Sequence, residues 1–209
     1  MKINRFMYFY PERPRLIQID QPLFQELEEN KNVVAELKEN GSRLQLHTWM
    51  IDHPNPRVLG VRTFEFWNRH RNQMDYIASN EIMTEFAKFP LKGYCLFDGE
   101  LRHNKTKGVR HKIRLFDVFI WNNELLTRKP FWYRRNILKT FLECGGEPIG
   151  IPVQYKDNFR QVYEKNIKND EIEGLVLKNL NGKLELGRKA AMDSKWMWKV
   201  RKPSGRYRY

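Results

Sequence analysis

Residues 33–49 read VVAELKENGSRLQLHTW, two strand-like runs, Val33 to Leu37 and Leu44 to Trp49, on either side of the pair Asn40-Gly41. An Asn-Gly pair supplies the positive φ angles of a two-residue turn, so this stretch predicts a tight hairpin with Lys38 beside its tip. Glu36, two residues before Lys38, shares its strand face. Taken alone, Lys38 to Arg43 reads first as a solvated hairpin tip and only second as a site.

Working outward, Arg57 to Trp67, Gly93 to His103 and His111 to Trp121 read as further strands. A helical pattern from Tyr76 to Phe89 lies between the first two, apolar at Ile77, Ile82, Met83, Phe86 and Phe89. Pro130 opens a helix to about Cys144 that Gly145-Gly146 stops, and a second covers Asp157 to Lys168. Glu171 to Asn179 and Lys183 to Leu186 flank Asn181-Gly182, a second hairpin signal, and Lys195 to Val200 is the last strand. Hairpins mixed with segregated helices give an α+β fold of largely antiparallel sheets flanked by helices. No repeat or linker divides the chain, so residues 1–209 are expected to form one domain with a short N-terminal extension and a basic C-terminal tail, KVRKPSGRYRY.

Lys plus Arg number 38 against 25 Asp plus Glu, a formal charge of +13, which favours polyanionic partners, nucleic acid first among them. Cys95 and Cys144 are too few for a disulfide framework or a zinc site; both lie in apolar runs and are expected to be small buried hydrophobes in a reducing compartment. The first 15 residues, MKINRFMYFYPERPR, lack the apolar core of a signal peptide, and no run approaches the roughly 18 uncharged residues of a membrane span. The expectation is a cytoplasmic monomer with no membrane partner.

Five ordered motifs carry the functional reading. KENGSR at 38–43, LFDGEL at 96–101, RLFDVFIW at 114–121, IEGLVLK at 172–178 and WKVRK at 198–202 resemble the covalent nucleotidyl transferase superfamily of DNA ligases, RNA ligases and mRNA capping enzymes. That family's first motif is KxDG followed by a basic residue; here Asn40 stands for the Asp. The resemblance spans about Val33 to Lys202 and implies a ligase-type adenylation domain, of the small phage-like kind, without a C-terminal oligonucleotide-binding barrel. It implies Lys38 as the nucleophile on the α-phosphorus of ATP. Lysine suits that task because its deprotonated amine is a good nucleophile on a flexible stem, and nearby cations disfavour the ammonium form.

The same resemblance assigns the other candidates. Lys199 and Arg201, two apart on a strand, would point together at the phosphate. Glu173, and less firmly Glu100, would hold Mg2+ or Mn2+, for which carboxylate oxygens are suitable ligands; Glu100 alternatively lies near the ribose. Phe116 would stack on the purine, Glu36 would accept from the adenine amino group, and Arg43 would lie near the sugar or phosphates. Arg69, in RTFEFWNRHRNQ at 62–73, matches the Arg that grips a 5′-phosphate. Glu173 and Lys178 are an odd number apart, which in a regular strand puts Lys178 on the other face.

These residues imply an ATP-dependent polynucleotide ligase sealing 5′-phosphate to 3′-hydroxyl through lysyl-AMP. FEFWNRHRNQ and FDGEL favour DNA, and Asn40 leaves RNA open. Capping and NAD-dependent classes fit less well, since Glu36 suits adenine and no nicotinamide-binding segment precedes Lys38. A protein partner replacing the barrel is one way to complete the enzyme. The rival of another class is a non-catalytic protein binding single strands through KWMWKVRK at 195–202.

Overall fold

A computed structural model describes residues 8–51, 61–185 and 190–203. Fifteen elements follow in order: β1 Arg13–Leu16, α1 Pro22–Glu29, β2 Val33–Glu39, β3 Ser42–Ile51, β4 Val61–Asn68, α2 Asn80–Ala87, β5 Cys95–Arg102, β6 Lys112–Trp121, β7 Glu124–Leu125, α3 Phe131–Lys139, β8 Ile149–Gly150, β9 Gln154–Tyr155, α4 Phe159–Asn166, β10 Ile172–Asn179 and β11 Asp193–Arg201. They form two sheets, β1-β11-β10-β2-β9 and β4-β3-β5-β6-β7, with β8 beside β6. Pairing is antiparallel except for β1 with β11 and β6 with β8, so the α+β architecture of largely antiparallel sheets stands. Among the described residues no helix is long and apolar enough to cross a membrane.

Alternation along the strands sorts side chains into layers. In β2, Val33, Ala35 and Leu37 pack with Phe24 and Leu27 of α1 and Phe159 and Tyr163 of α4. Leu44 and Leu46 of β3 pack with Ile82 and Phe86 of α2 and Leu138 of α3. Val34 faces the other way, in a third cluster that joins Trp196 and Met197 of the first sheet to Leu96 and Phe119 of the second. Helices therefore cover the outer faces, and the inner faces meet each other.

The predicted Asn40-Gly41 hairpin is not formed: β2 and β3 belong to different sheets, and β3 pairs with β4 and β5 instead. Gly41 does not have a positive φ. It serves close approach, because a Cβ there would lie 2.6 Å from Glu100 Cγ and 2.7 Å from the Leu101 carbonyl oxygen. The second predicted hairpin also fails, since β10 pairs with β2 and β11 while Lys183 makes an isolated bridge to Pro130. In both places the glycine pair marks a change of direction between layers, not a ladder turning back on itself.

Helix ends are shorter than the apolar patterns imply. α2 starts only after Ser79, whose hydroxyl accepts from the Ile82 amide, leaving Ile77 outside and exposed. α3 ends at Lys139, and the chain beyond it bridges Cys144 to Ile151, leaving Cys144 exposed while Cys95 is buried. α4 keeps only Phe159 to Asn166 of the expected span. β1 and α1 are not among the elements expected from the sequence, although Pro22 at the start of α1 and the helical spacing of Leu23, Phe24 and Leu27 signal the helix; the expected strand start at Arg57 lies outside the described residues, as does the end of the basic tail.

Candidate active site

A cleft of about 840 Å³ opens where the inner faces of the two sheets diverge, and all nine candidate side chains line it. Alternation accounts for most of them. Glu36 and Lys38 share the inner face of β2 with Val34, and Lys199 and Arg201 alternate with Val200, which is buried in the outer core. Arg43 on β3 is paired in register with Glu100 on β5. Arg69 follows β4 at the rim, its Nε donating to His70 Nε2 at 3.2 Å.

Two candidates reach the cleft through β-bulges. On β10, Ile172 and Gly174 oppose the adjacent Glu39 and Lys38, so Glu173 is an extra residue. The bulge places Glu173 on the same side as Val176 and Lys178, and the expected opposite facing of Glu173 and Lys178 does not hold. Gly174 at φ +147° makes this possible: a Cβ would lie 1.9 Å from the Val200 carbonyl oxygen. On β6, Leu115 and Asp117 oppose the adjacent Gly99 and Asp98, making Phe116 the extra residue. Phe116 thus lines the cleft while Leu115 and Val118 enter the outer core.

At one end of the cleft Lys38 Nζ donates to Glu173 Oε2 at 2.5 Å, and Arg201 Nη2 lies 3.8 Å from the same oxygen. Burial lowers the Lys199 ammonium's proton affinity, and the charges of Arg201, Lys38 and Arg13 lower it further. Burial pushes the Glu100 carboxyl up to about 7; Lys38 and Arg43 oppose that rise and Glu173 adds to it. Lys105 Nζ donates to the Gly41 carbonyl at 2.6 Å, adding a cation beside the Lys38 segment.

At the other end Glu36 is buried, with Oε2 2.6 Å from Lys178 Nζ and Oε1 accepting from Gln154 Nε2 at 2.8 Å. The Lys178 ammonium sits 5.1 Å from the centre of the Phe116 ring, and the Arg43 guanidinium 5.0 Å from it. Asp98 holds Arg43 in a two-point grip, with Nε to Oδ1 at 2.6 Å, and Arg134 grips Asp117 through Nε to Oδ1 at 2.7 Å. Burial raises the Asp98 carboxyl to about 6, and Arg43 pulls against that rise.

Lys178, expected on the face opposite Glu173, lines the cleft with it, as do Asp98 and Asp117, whose only signal in the sequence is the motif that contains them. The N-terminal strap gave none. Gln45 Nε2 donates to the Phe9 carbonyl at 2.6 Å, and buried Glu12 accepts from Trp196 Nε1 at 3.1 Å and the Glu185 amide at 2.6 Å. Those bonds hold residues 8–14 along the cleft, which Tyr10 and Arg13 help to line.

Among the described residues no group of three or more metal-ligating side chains gathers. Glu100 and Glu173 fit a divalent cation as a two-carboxylate set, because the Glu173 charge raises the cost of ionising the buried Glu100, a cost that a bound cation would offset. Bound there, such an ion would neutralise phosphate oxygens.

A family model described as "ATP dependent DNA ligase domain" matches residues 64–201. DNA ligase 4 of Aspergillus oryzae is 26% identical over 180 residues, covering 69% of this chain and 18% of that protein. Among solved structures, mycobacterial DNA ligase D complexed with ATP and MES superposes at TM-score 0.66 with 15% identity, over 94% of this chain and 61% of that one. A Lig E DNA ligase gives 0.54 at 15% identity, over 90% of this chain and 68% of that one. An archaeal ATP-dependent RNA ligase gives 0.51 at 15% identity, over 92% and 48% respectively. The chain spans under two thirds of the DNA ligase 4 and DNA ligase D chains it matches, and the likeness to solved structures carries the fold alone. Because the family model covers more than half of its length, the chain belongs to the ATP-dependent DNA ligase domain family.

Proposed function

We propose that this chain is one nucleotidyl-transferring unit that forms a lysyl-AMP from ATP and passes the AMP to the 5′-phosphate of a nucleic acid, where a 3′-hydroxyl displaces it. The observation that carries this reading is the seating of the Lys38 amine against Glu173, inside a cleft whose floor also presents Lys199 and Arg201. Attack on the α-phosphorus needs a positioned amine and cations to offset charge on the phosphoryl oxygens. Glu173 positions the amine and is the acceptor within reach of its proton; Lys199 and Arg201 supply the cations. Phe116 offers its ring to the base, and Glu36 an acceptor for an exocyclic amine. Arg43 and Glu100 line the stretch between, where a ribose would lie. Mg2+ or Mn2+ would be held by Glu173 and Glu100. Arg69 at the rim is suited to grip the 5′-phosphate.

DNA is the favoured substrate, supported by the family match. Asn40 in place of the usual Asp, and the fold shared with an archaeal RNA ligase, support RNA as the second reading. The test is incubation with magnesium and ATP labelled at the α-phosphate. A covalent label that Lys38→Ala abolishes is expected; a wild-type protein that takes no label returns the chain to a nucleic-acid-binding role. Sealing rates on nicked DNA, nicked RNA and hybrid duplexes then rank the substrates.

A further inference from the structure

A second concavity of about 400 Å³ adjoins the cleft at the edge of the first sheet, lined by Arg13, Pro14, Arg15, Leu16, Asp193 and Lys199. Arg13, Pro14 and Lys199 also line the cleft, so the two spaces share a wall. Arg13 and Lys199 are the cations beside Asp193 there, whereas Arg15 is in register with Trp198, on the outer face with Val200. Arg13 Nη2 is 3.2 Å from Asp193, but both side chains are mostly exposed, and an exposed pair of this kind is readily exchanged for a competing anion. Lys199 links the two spaces electrostatically, since its ammonium is disfavoured by Arg201 and Lys38 on the cleft side and by Arg13 on the annex side.

We propose that this annex receives the β- and γ-phosphates of the nucleotide, with Arg13 binding them during transfer and holding the departing pyrophosphate. The inference rests on the nucleotidyl-transfer reading above and extends it to residues on the N-terminal strap. As the bond from Lys38 Nζ to the α-phosphorus forms, the bond from that phosphorus to the bridging oxygen breaks. The electron pair stays on the pyrophosphate oxygen, and the amine's proton leaves to Glu173 and then to solvent. Charge therefore grows on the leaving group, where guanidinium groups stabilise it most. Asp193 is the competing anion that holds Arg13 in place when no polyphosphate is bound.

The decisive measurement separates the step that uses a triphosphate from the step that does not. Arg13→Ala is expected to raise the ATP concentration needed for half-maximal labelling of Lys38 by about tenfold, and to weaken inhibition by added pyrophosphate similarly. Sealing of a nick already carrying 5′-AMP should keep its wild-type rate. Asp193→Asn is expected to strengthen inhibition by pyrophosphate. Thermal denaturation of each variant checks that the sheet edge is intact. Normal ATP and pyrophosphate dependence with slowed sealing of the adenylated nick would overturn the proposal and make the annex a nucleic-acid contact. Unlabelled wild-type protein would overturn the parent reading and this one together, whereas a labelled wild type matched by the Arg13→Ala variant at every ATP concentration overturns the annex alone.

Discussion

At one end of the cleft Glu36 and Lys178 are 3% and 4% exposed, and every charge there has a fixed partner; at the other, Lys38 and Glu173 are 20% and 29% exposed, and cations outnumber the carboxylates they meet. The buried end satisfies itself before any ligand arrives. Its ion pair contributes shape and orientation, since a desolvated pair roughly breaks even but is costly to break on one side. At the half-exposed end burial disfavours the Lys199 ammonium, and Arg201, Lys38 and Arg13 stand close enough to add to that, an arrangement that a polyanion relieves. The same residue types thus serve to hold the fold at one end and to await a ligand at the other.

Lys38→Ala is the severest blow to the half-exposed end: all covalent labelling should disappear, with the folded state retained by circular dichroism. Glu36→Ala probes the buried end, where leaving Lys178 uncompensated should cost about 3–5 kcal/mol in urea denaturation. Glu173→Ala, by contrast, should cost about 1 kcal/mol or less in the same assay while abolishing label. Equal destabilisation by the two substitutions would erase the distinction between the ends. Gly174→Ala attacks the bulge that carries Glu173 and should cost about 1–3 kcal/mol for the strained backbone, with labelling lost along with the register.

The mildest effect concerns pH. Glu100 titrates at about 7 in the folded protein, against 4.5 ordinarily, because burial favours its neutral form. A carboxyl raised in this way contributes stability that is complete below 4.5 and lost as pH rises through about 7. Glu100→Gln should therefore flatten the decline in urea midpoint over that window. An unchanged slope would show that Glu100 does not carry it.

Much of the site was legible because its residues sit in short motifs whose alternation puts them on one strand face. Lys38 with Glu36, and Lys199 with Arg201, obey the period of two. Glu173 and Phe116 do not, because each is the extra residue of a bulge, and a bulge leaves no periodic trace; only Gly174 hints at it. The sheet partners of β2 and β3 were misread for a related reason. Asn40-Gly41 has the composition of a hairpin, but Glu39 is held by Arg114 Nε at 3.0 Å and by Arg102, both on the opposite sheet, while the Asn40 amide donates to the Glu171 carbonyl at 2.7 Å. Those tertiary bonds override the local turn preference. β1 takes its order from parallel pairing with β11 at the far end of the sequence, and the strap before it from Glu12 and Gln45, single polar bonds that no local pattern announces.

The strand order of the first sheet has a consequence for how the protein is made. β1 lies against β11, and the partner of Lys38 is 135 residues away along the chain. Contacts of that separation form late, after the loop between them has closed. A nascent chain on the ribosome displays Lys38 and Arg43 early, yet holds no carboxylate against the amine until β10 has emerged. Synthesis interrupted before residue 172 therefore releases a polypeptide with Lys38 but without the strand that carries its carboxylate partner.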